Sequence, residues 1–190
     1  MRVISPRSLV AITVAFVGLL HQECAIANPT KEETIKFLAE KINVTAVQFD
    51  SDTLTVDLSA IDSPCRLALT ETHRTSAGQI QFADIAILDL KDINPTTITF
   101  APVRSFGVFA ELRYGLQSTN WLVQFFTTGK TQNISSKRIH YDKQSGGITK
   151  EDIRMVDRTQ VLVKDQDTAQ RVSKALDHLV RLCGGKNELF

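Results

Sequence analysis

The sequence predicts a single α+β domain: an antiparallel β-sandwich or partly open barrel, with a short helix before the strands and a longer helix after them. Apolar and polar residues alternate with a period of two through most of residues 44–126. Segments with helical periodicity flank this region on both sides. A chain of 190 residues with 43% hydrophobic residues has the composition of one globular domain.

Residues 1–27 have the pattern of a secretory signal peptide. Arg2 and Arg7 precede an uncharged apolar run of twelve residues, and a small-x-small pattern ends at Ala27. The alternative is a membrane anchor, but twelve helical residues reach only about 18 Å of a ~30 Å hydrocarbon core. We therefore expect cleavage after Ala27 and a secreted or periplasmic mature domain over 28–190.

The charge balance argues against a nucleic-acid partner. The formal net charge is +1, whereas a dedicated nucleic-acid binder is strongly basic. The charge is unevenly distributed, with a net of −5 over residues 28–100 and +5 over residues 101–190.

Two cysteines remain once the leader is removed, Cys65 and Cys183. Cysteines in an exported protein usually pair, and this pair would close a loop of more than a hundred residues. Such a closure stabilises the fold by about 4–5 kcal/mol in the chain-entropy model. The alternative is two buried thiols. We predict a Cys65–Cys183 disulfide.

The first helix is predicted over residues 30–42. Thr30 and Glu33 match a capping box, in which each side chain bonds the other residue's free backbone N–H group. Three apolar residues follow at helical spacing: Ile35, Leu38 and Ile42. Because this stripe is narrow, we expect the helix to lie on the surface.

The strands begin after this helix. A turn at residues 50–53 separates two alternating segments and predicts a hairpin. Further alternating segments are centred on Leu67, Phe82 and Phe100. A bulge near Ala83 and Asp84 would bring the following isoleucines onto the same face as Phe82.

The clearest alternation covers residues 106–114. It predicts a strand whose inward residues are Phe106, Val108, Ala110, Leu112 and Tyr114. Residues 121–125 repeat the pattern, and residues 137–142 and 159–164 are weaker strand candidates. Seven or eight strands, mostly joined by hairpins, indicate an antiparallel sandwich or barrel.

The second helix is predicted over residues 167–183, with Asp167 as its N-cap and Gly184-Gly185 as its end. It has a broad apolar face: Ala169, Val172, Leu176, Leu179, Val180 and Cys183. We expect this face to lie against the sheet, where Cys183 would bond Cys65.

An antiparallel body closed by a C-terminal amphipathic helix resembles the pleckstrin-homology-like superfold. The architectural match spans residues 44–185, and residues 169–185 are similar to the last helix of small secreted proteins of that architecture. The resemblance implies a platform that binds phosphoinositides or peptides. Phosphoinositide binders usually carry a basic first hairpin loop, whereas this chain has Asp50 and Asp52 there, which argues against that ligand.

The sequence contains no pattern that predicts catalysis, a cofactor or a metal. His73, His140 and His178 lack the spacing of metal ligands. We interpret His73 and its neighbour Glu71 as a solvated strand end. We therefore expect a non-enzyme. An enzyme would require His73 or His140 beside a carboxylate and a hydroxyl in one cleft.

Four basic residues of the second helix are candidates for partner binding: Arg171, Lys174, His178 and Arg181. Their spacings of three and four place them in one stripe, which would suit an acidic partner. The alternative is an ordinary solvated helix face. Asn43 and Asn133 match glycan acceptors, which matter only in a eukaryotic host.

Two functions fit these observations. The first is an exported non-catalytic interaction module that binds a protein or peptide. The alternative is a carrier that holds an apolar small molecule in a barrel cavity, suggested by the aromatic residues of segment 100–126. The carrier requires a cavity of several hundred cubic ångströms lined by Phe106, Trp121 and Phe125; otherwise these aromatics pack a core.

Overall fold

The computed structural model describes residues 28–43, 46–49, 52–107, 110, 114, 119–142 and 144–186, with the backbone alone for 46–49. The predicted signal peptide, residues 1–27, lies outside the described residues. The two long helices are α1 (Lys31–Ile42) and α2 (Gln166–Leu182). The strands are β1 (Ala46–Phe49), β2 (Asp52–Ile61), β3 (Ser63–Arg74), β4 (Ile80–Asp89), β5 (Thr99–Pro102), β6 (Trp121–Phe126), β7 (Ile134–Tyr141), β8 (Ile148–Val156) and β9 (Arg158–Val163).

The strands form two antiparallel sheets. The large sheet has the order β1-β2-β3-β4-β7-β8, and the small sheet has the order β5-β6-β9. Asp157 joins β8, at the edge of the large sheet, to β9, at the edge of the small one. The predicted α+β antiparallel sandwich is confirmed, and its described strands do not close into a barrel.

Helix α1 begins as predicted. The Thr30 N–H donates to Glu33 Oε2 over 2.8 Å, and the Glu33 N–H donates to Thr30 Oγ1 over 3.2 Å. Leu38 and Ile42 are fully buried, while the opposite face is exposed. The helix therefore lies on the surface and packs its apolar stripe against α2 and β2.

Helix α2 begins earlier than predicted, and its N-cap is Asp165 rather than Asp167. The Asp165 carboxylate accepts the Thr168 N–H over 2.7 Å, and this hydrogen bond holds the pKa of Asp165 below its ordinary value. Asp167 instead lies in the first turn, where its charge favours the positive end of the helix dipole. The apolar face of α2 packs on β5 and β6, as predicted.

The end of α2 is fixed to the large sheet. Gly184 has a φ of 85°, and the Gly185 N–H donates to the Val180 carbonyl over 2.9 Å. A disulfide joins Cys65 on β3 to Cys183, with the two Cα atoms 5.5 Å apart. The predicted Cys65–Cys183 bridge is therefore confirmed.

The predicted strand over 106–114 is wrong. Phe106 ends a 3₁₀ turn, and Ala110 and Tyr114 are helical and buried. Their spacing of four residues is close to one helical turn, so these apolar positions fit a helix as well as a strand. Val108 and Leu112 lie outside the described residues.

The predicted bulge near Ala83 and Asp84 is also wrong. Strand β4 pairs with β3 without interruption from Phe82 to Asp89, and the register shifts at His73 and Arg74 instead. Phe82 and Asp84 lie on the inner face of the sheet, and Ile85 and Ile87 lie on its outer face. The bulge was predicted on the assumption that all apolar residues of β4 share one face, whereas the strand has apolar residues on both faces.

The two weak strand candidates are confirmed as β7 and β9, but β8 was not predicted. Every side chain from residue 148 to residue 155 is exposed. With no buried face, β8 shows no alternation between apolar and polar residues.

Candidate functional site

A cleft of about 650 Å³ lies between the inner face of the large sheet and strands β6 and β9. Its floor includes Glu71 and Asp84, one wall includes Tyr114 and Gln160, and Arg154 and Arg158 line the β8–β9 side. Charged and polar groups therefore make up much of the lining, in contrast to the apolar core under the helices.

Strand pairing places the carboxylates of the floor side by side. Leu67, Leu69, Glu71 and His73 occupy alternate positions of β3 and share its inner face. Glu71 pairs with Asp84 on β4, and His73 pairs with Phe82. The sequence interpretation of Glu71 as a solvated strand end is wrong, because Glu71 is only 4% exposed.

Glu71 is held by a hydrogen-bonded chain that crosses the cleft. The Tyr114 hydroxyl donates to Glu71 Oε1 over 3.1 Å, and it accepts a hydrogen bond from Gln160 Nε2 over 3.0 Å. Tyr114 is fully buried. This chain links β3, the helical segment at Tyr114 and β9, so it fixes the cleft walls relative to the floor.

Asp84 is held by Arg138 on β7. The guanidinium donates from Nε to Oδ1 over 2.6 Å and from Nη2 to Oδ2 over 2.7 Å. Arg138 also lies over the Phe82 ring, 4.9 Å from its centroid. This bidentate pair orients Asp84 and fixes the arginine in one geometry.

His73 lies behind the two carboxylates. Its ring stacks on Phe82 with centroids 4.0 Å apart, and its Nε2 atom is buried. His73, Glu71 and Asp84 each offer one ligand atom, and these atoms lie within 4.8 Å of one another. The structure therefore places His73 beside two carboxylates, with the Tyr114 hydroxyl bonded to one of them. The condition stated above for an enzyme is met only in part, because His73 is not among the residues that line the cleft.

His140 occupies a more exposed position on the same face. Its Nε2 atom is 3.7 Å from Asp152 Oδ2, and Lys150 Nζ is 2.8 Å from the same oxygen. The hydrogen bond from Lys150 holds the pKa of Asp152 below its ordinary value. These residues form a solvated ion-pair group at the sheet edge.

Arg154 and Arg158 differ from the other cations near the cleft. Both are exposed, and neither forms an ion pair with any residue that the structure describes. Arg154 projects from β8 beside Ser136, and Arg158 begins β9. They bring two positive charges to the β8–β9 side of the cleft, where Asp157 is the acid between them in the same lining.

The predicted basic stripe on α2 is mostly engaged within the chain. Arg181 is bonded to Asp177 over 2.9–3.1 Å, which raises the pKa of Arg181. Arg171 Nη1 is 3.8 Å from the Asp167 carboxylate, and His178 bonds the Pro29 carbonyl over 2.9 Å.

Lys174 is the member of the stripe for which neither an ion pair nor a hydrogen bond is found among the described residues. The stripe therefore offers an acidic partner fewer open cationic groups than its spacing suggests. Its role in partner binding stays a prediction.

The aromatic residues proposed to line a carrier cavity are not brought together. Phe106 lines the cleft, but Phe125 is in the core and 1% exposed. Trp121 packs against Phe100 in the small sheet, with ring centroids 6.0 Å apart. The predicted core packing thus accounts for Trp121 and Phe125.

The two glycan acceptors differ in their surroundings. Asn133 is exposed, whereas the Asn43 side chain accepts the Leu58 N–H over 2.5 Å and donates to the Leu58 carbonyl over 3.4 Å. A glycan at Asn43 would disturb this contact with β2, so Asn133 is the more accessible of the two.

Among the described residues, no helix combines the length and apolarity needed to span a bilayer. Comparison of the chain with protein-family models, with curated proteins and with solved structures gives no match.

Proposed function

We propose that this protein is an exported, non-catalytic interaction module that binds an extended acidic peptide segment of a partner protein along β8. The observation that carries the proposal is the pair of exposed arginines, Arg154 and Arg158, beside an open strand edge. Acidic side chains of the peptide would pair with these arginines on the β8–β9 side of the cleft.

The edge of β8 supports recognition of an extended chain. Within the described part of the protein, β8 pairs with β7 on one side and with no strand on the other. An exposed edge of nine residues presents a row of backbone donors and acceptors to which a peptide can add as a further strand. Ile148, Ile153 and Met155 expose apolar side chains along it.

The cleft gives more support to a charged ligand than to an apolar one. An apolar molecule in the cleft would remove water from the exposed arginines Arg154 and Arg158, which is unfavourable. The carrier hypothesis therefore has less support than peptide binding. The resemblance to pleckstrin-homology-like proteins, which implies a peptide platform, remains a prediction.

Export is part of this proposal. Disulfides persist in oxidising compartments, so the Cys65–Cys183 bridge supports the predicted leader. Intact-mass measurement of the secreted form tests both features: we expect a chain that starts at Asn28 and is two hydrogens lighter than the reduced form. A retained leader would contradict export with cleavage.

Binding is tested by fluorescence anisotropy with a labelled nine-residue peptide of alternating valine and glutamate. The matched control replaces glutamate by lysine. Two further probes carry N-methyl groups on alternate residues, one set at odd positions and the other at even positions. If the peptide adds to β8, one methylated probe binds and the other does not, because only one edge of the peptide faces the protein.

Variants then identify the surface. Arg154→Glu and Arg158→Glu should each weaken binding of the glutamate peptide by about tenfold or more, and Lys174→Glu on α2 should leave it unchanged. Equal binding of the lysine and glutamate peptides would overturn the charge assignment. If Lys174→Glu is the only variant that loses binding, the peptide binds at the basic stripe of α2 and not at β8.

A further inference from the structure

We propose that Glu71, His73 and Asp84 form a binding site for a divalent transition-metal cation, with Zn²⁺ as the ion best suited to the donor set. Their ligand atoms lie within 4.8 Å of one another. One imidazole with two carboxylates is a donor set that Zn²⁺ accepts, whereas Ca²⁺ and Mg²⁺ favour sites made of oxygen ligands alone.

The burial of the cluster distinguishes it from ordinary surface acids. Glu71 is 4% exposed, and Nε2 of His73 is buried. The His73 ring is held against Phe82 by stacking, so its orientation is restricted before any ion binds. Ligands fixed in this way lose less conformational freedom on binding.

Hydrogen bonds from neighbouring side chains orient the two carboxylate ligands. Tyr114 donates to Glu71, and Arg138 donates once to each oxygen of Asp84. A carboxylate has about four lone-pair sites, so it can accept hydrogen bonds of this kind and also bind a metal. Outer hydrogen bonds of this kind are the usual support of metal ligands.

The charge of the surroundings permits a cation. The formal charges of Glu71, Asp84 and Arg138 sum to −1, and the bound ion would bring this group to +1. Arg138 opposes the ion and limits its affinity. Two carboxylates beside the imidazole offset that repulsion.

The geometry requires a small contraction. Zinc bonds of about 2.0–2.2 Å place tetrahedral ligand atoms about 3.4 Å apart, so the side chains must approach by up to about 1.4 Å. Glu71 and Asp84 lie on adjacent paired positions, and rotation of their side chains can supply this movement. Three protein ligands leave a fourth position, which on the cleft side is available to water or to a ligand group.

The test uses tag-free protein with its disulfide intact, stripped with EDTA and titrated with ZnCl₂ alone. We expect one equivalent of zinc per chain with a micromolar or lower Kd by calorimetry. At a zinc concentration about a hundred times Kd, the Tm should rise by roughly 5–10 °C. Co²⁺ should bind with the visible absorption of a low-coordinate nitrogen and oxygen site.

Two variants and one spectrum locate the ion. His73→Gln should weaken zinc binding by about tenfold or more, and His140→Ala should leave it unchanged because His140 lies outside the cluster. In ¹⁵N spectra of the wild-type protein, zinc should shift the ring nitrogens of His73 and leave those of His140 in place. This measurement locates the ion even if His73→Gln does not fold.

Three outcomes would overturn the proposal: no zinc binding at 1 mM, unchanged affinity in folded His73→Gln, or ring shifts confined to His140 or His178. Peptide binding is measured separately in EDTA. Failure of the zinc proposal therefore does not affect the peptide-binding proposal, and failure of peptide binding does not affect the zinc proposal. If zinc does not bind, the cluster is a hydrogen-bonded network.

Discussion

The two halves of β3 have the same alternation of inward side chains but lie in different surroundings. Leu67 and Leu69 point into the apolar core, while Glu71 and His73, two and four positions further on, belong to the polar cluster. Leu67 pairs with Leu88, whereas Glu71 pairs with Asp84.

The position of the helices explains this difference. The disulfide ties the end of α2 to Cys65, at the start of β3, and α1 packs on β2 and β3. Away from this covered region, the large sheet faces a cleft whose lining includes the carboxylates of Glu71 and Asp84. One end of the sheet therefore stabilises the fold, and the other carries the residues that we propose for binding.

The strongest test of the covered half is removal of its disulfide. Cys65→Ser with Cys183→Ser opens a loop whose ends are 118 residues apart. We expect a loss of about 4–5 kcal/mol in the free energy of unfolding, measured by urea denaturation. Reduction of the wild-type protein is the matched control and should give a similar loss. A loss below 1 kcal/mol in both would show that this end of the sheet holds without the bridge.

A core truncation should have the next largest effect. Leu67→Ala removes a fully buried side chain and leaves a cavity, so we expect a loss of about 2–5 kcal/mol in the free energy of unfolding. Met155→Ala on β8, where the side chain is 47% exposed, is the control and should cost less than about 1 kcal/mol. Equal losses would mean that Met155 contributes to the stability of the fold as much as the buried Leu67 does.

The covered half was predictable from sequence because its patterns are local. Thr30 and Glu33 mark the start of α1, the apolar positions of α2 recur at helical spacing, and the two cysteines that follow the predicted leader have one possible pairing with each other. The hairpin of β1 and β2 was equally visible. The failure in this half was the N-cap of α2, whereas the wrong bulge at Asp84 and the wrong strand at Ala110 belong to the cleft.

The cleft half was not predictable because its residues are distant in sequence. Tyr114 is 43 positions from Glu71 and 46 from Gln160, so no spacing motif joins them. Strand β8, which supplies Arg154, has no buried face to produce an alternation. One signal was available: Glu71 occupies the same parity as Leu69, and a carboxylate in a core position requires a partner.

Within the cleft half, removal of one hydroxyl should have a moderate effect. Tyr114→Phe breaks the chain from Gln160 to Glu71, and we expect a loss of about 1–2 kcal/mol in the free energy of unfolding. Tyr141→Phe is the matched control, because the Tyr141 hydroxyl makes no hydrogen bond with the described residues. A loss in Tyr114→Phe no greater than that in Tyr141→Phe would show that the chain does not fix the cleft.

The smallest expected effect is a pH dependence in the covered half, at the start of α2. The Thr168 N–H stabilises the charged form of Asp165 and lowers its pKa in the folded protein below the ordinary value of 3.8. The unfolded chain therefore takes up the proton first as the pH falls, so this contribution to stability is present above pH 4 and is lost below it. Asp165→Asn keeps an acceptor for the cap but cannot titrate, and its Tm should fall less steeply than that of the wild type between about pH 5 and pH 2.5. Asp165→Ala removes the acceptor and should lower the Tm at neutral pH as well. Parallel Tm profiles for the wild type and Asp165→Asn would assign the acid sensitivity of the protein to other carboxylates, including those of the cleft.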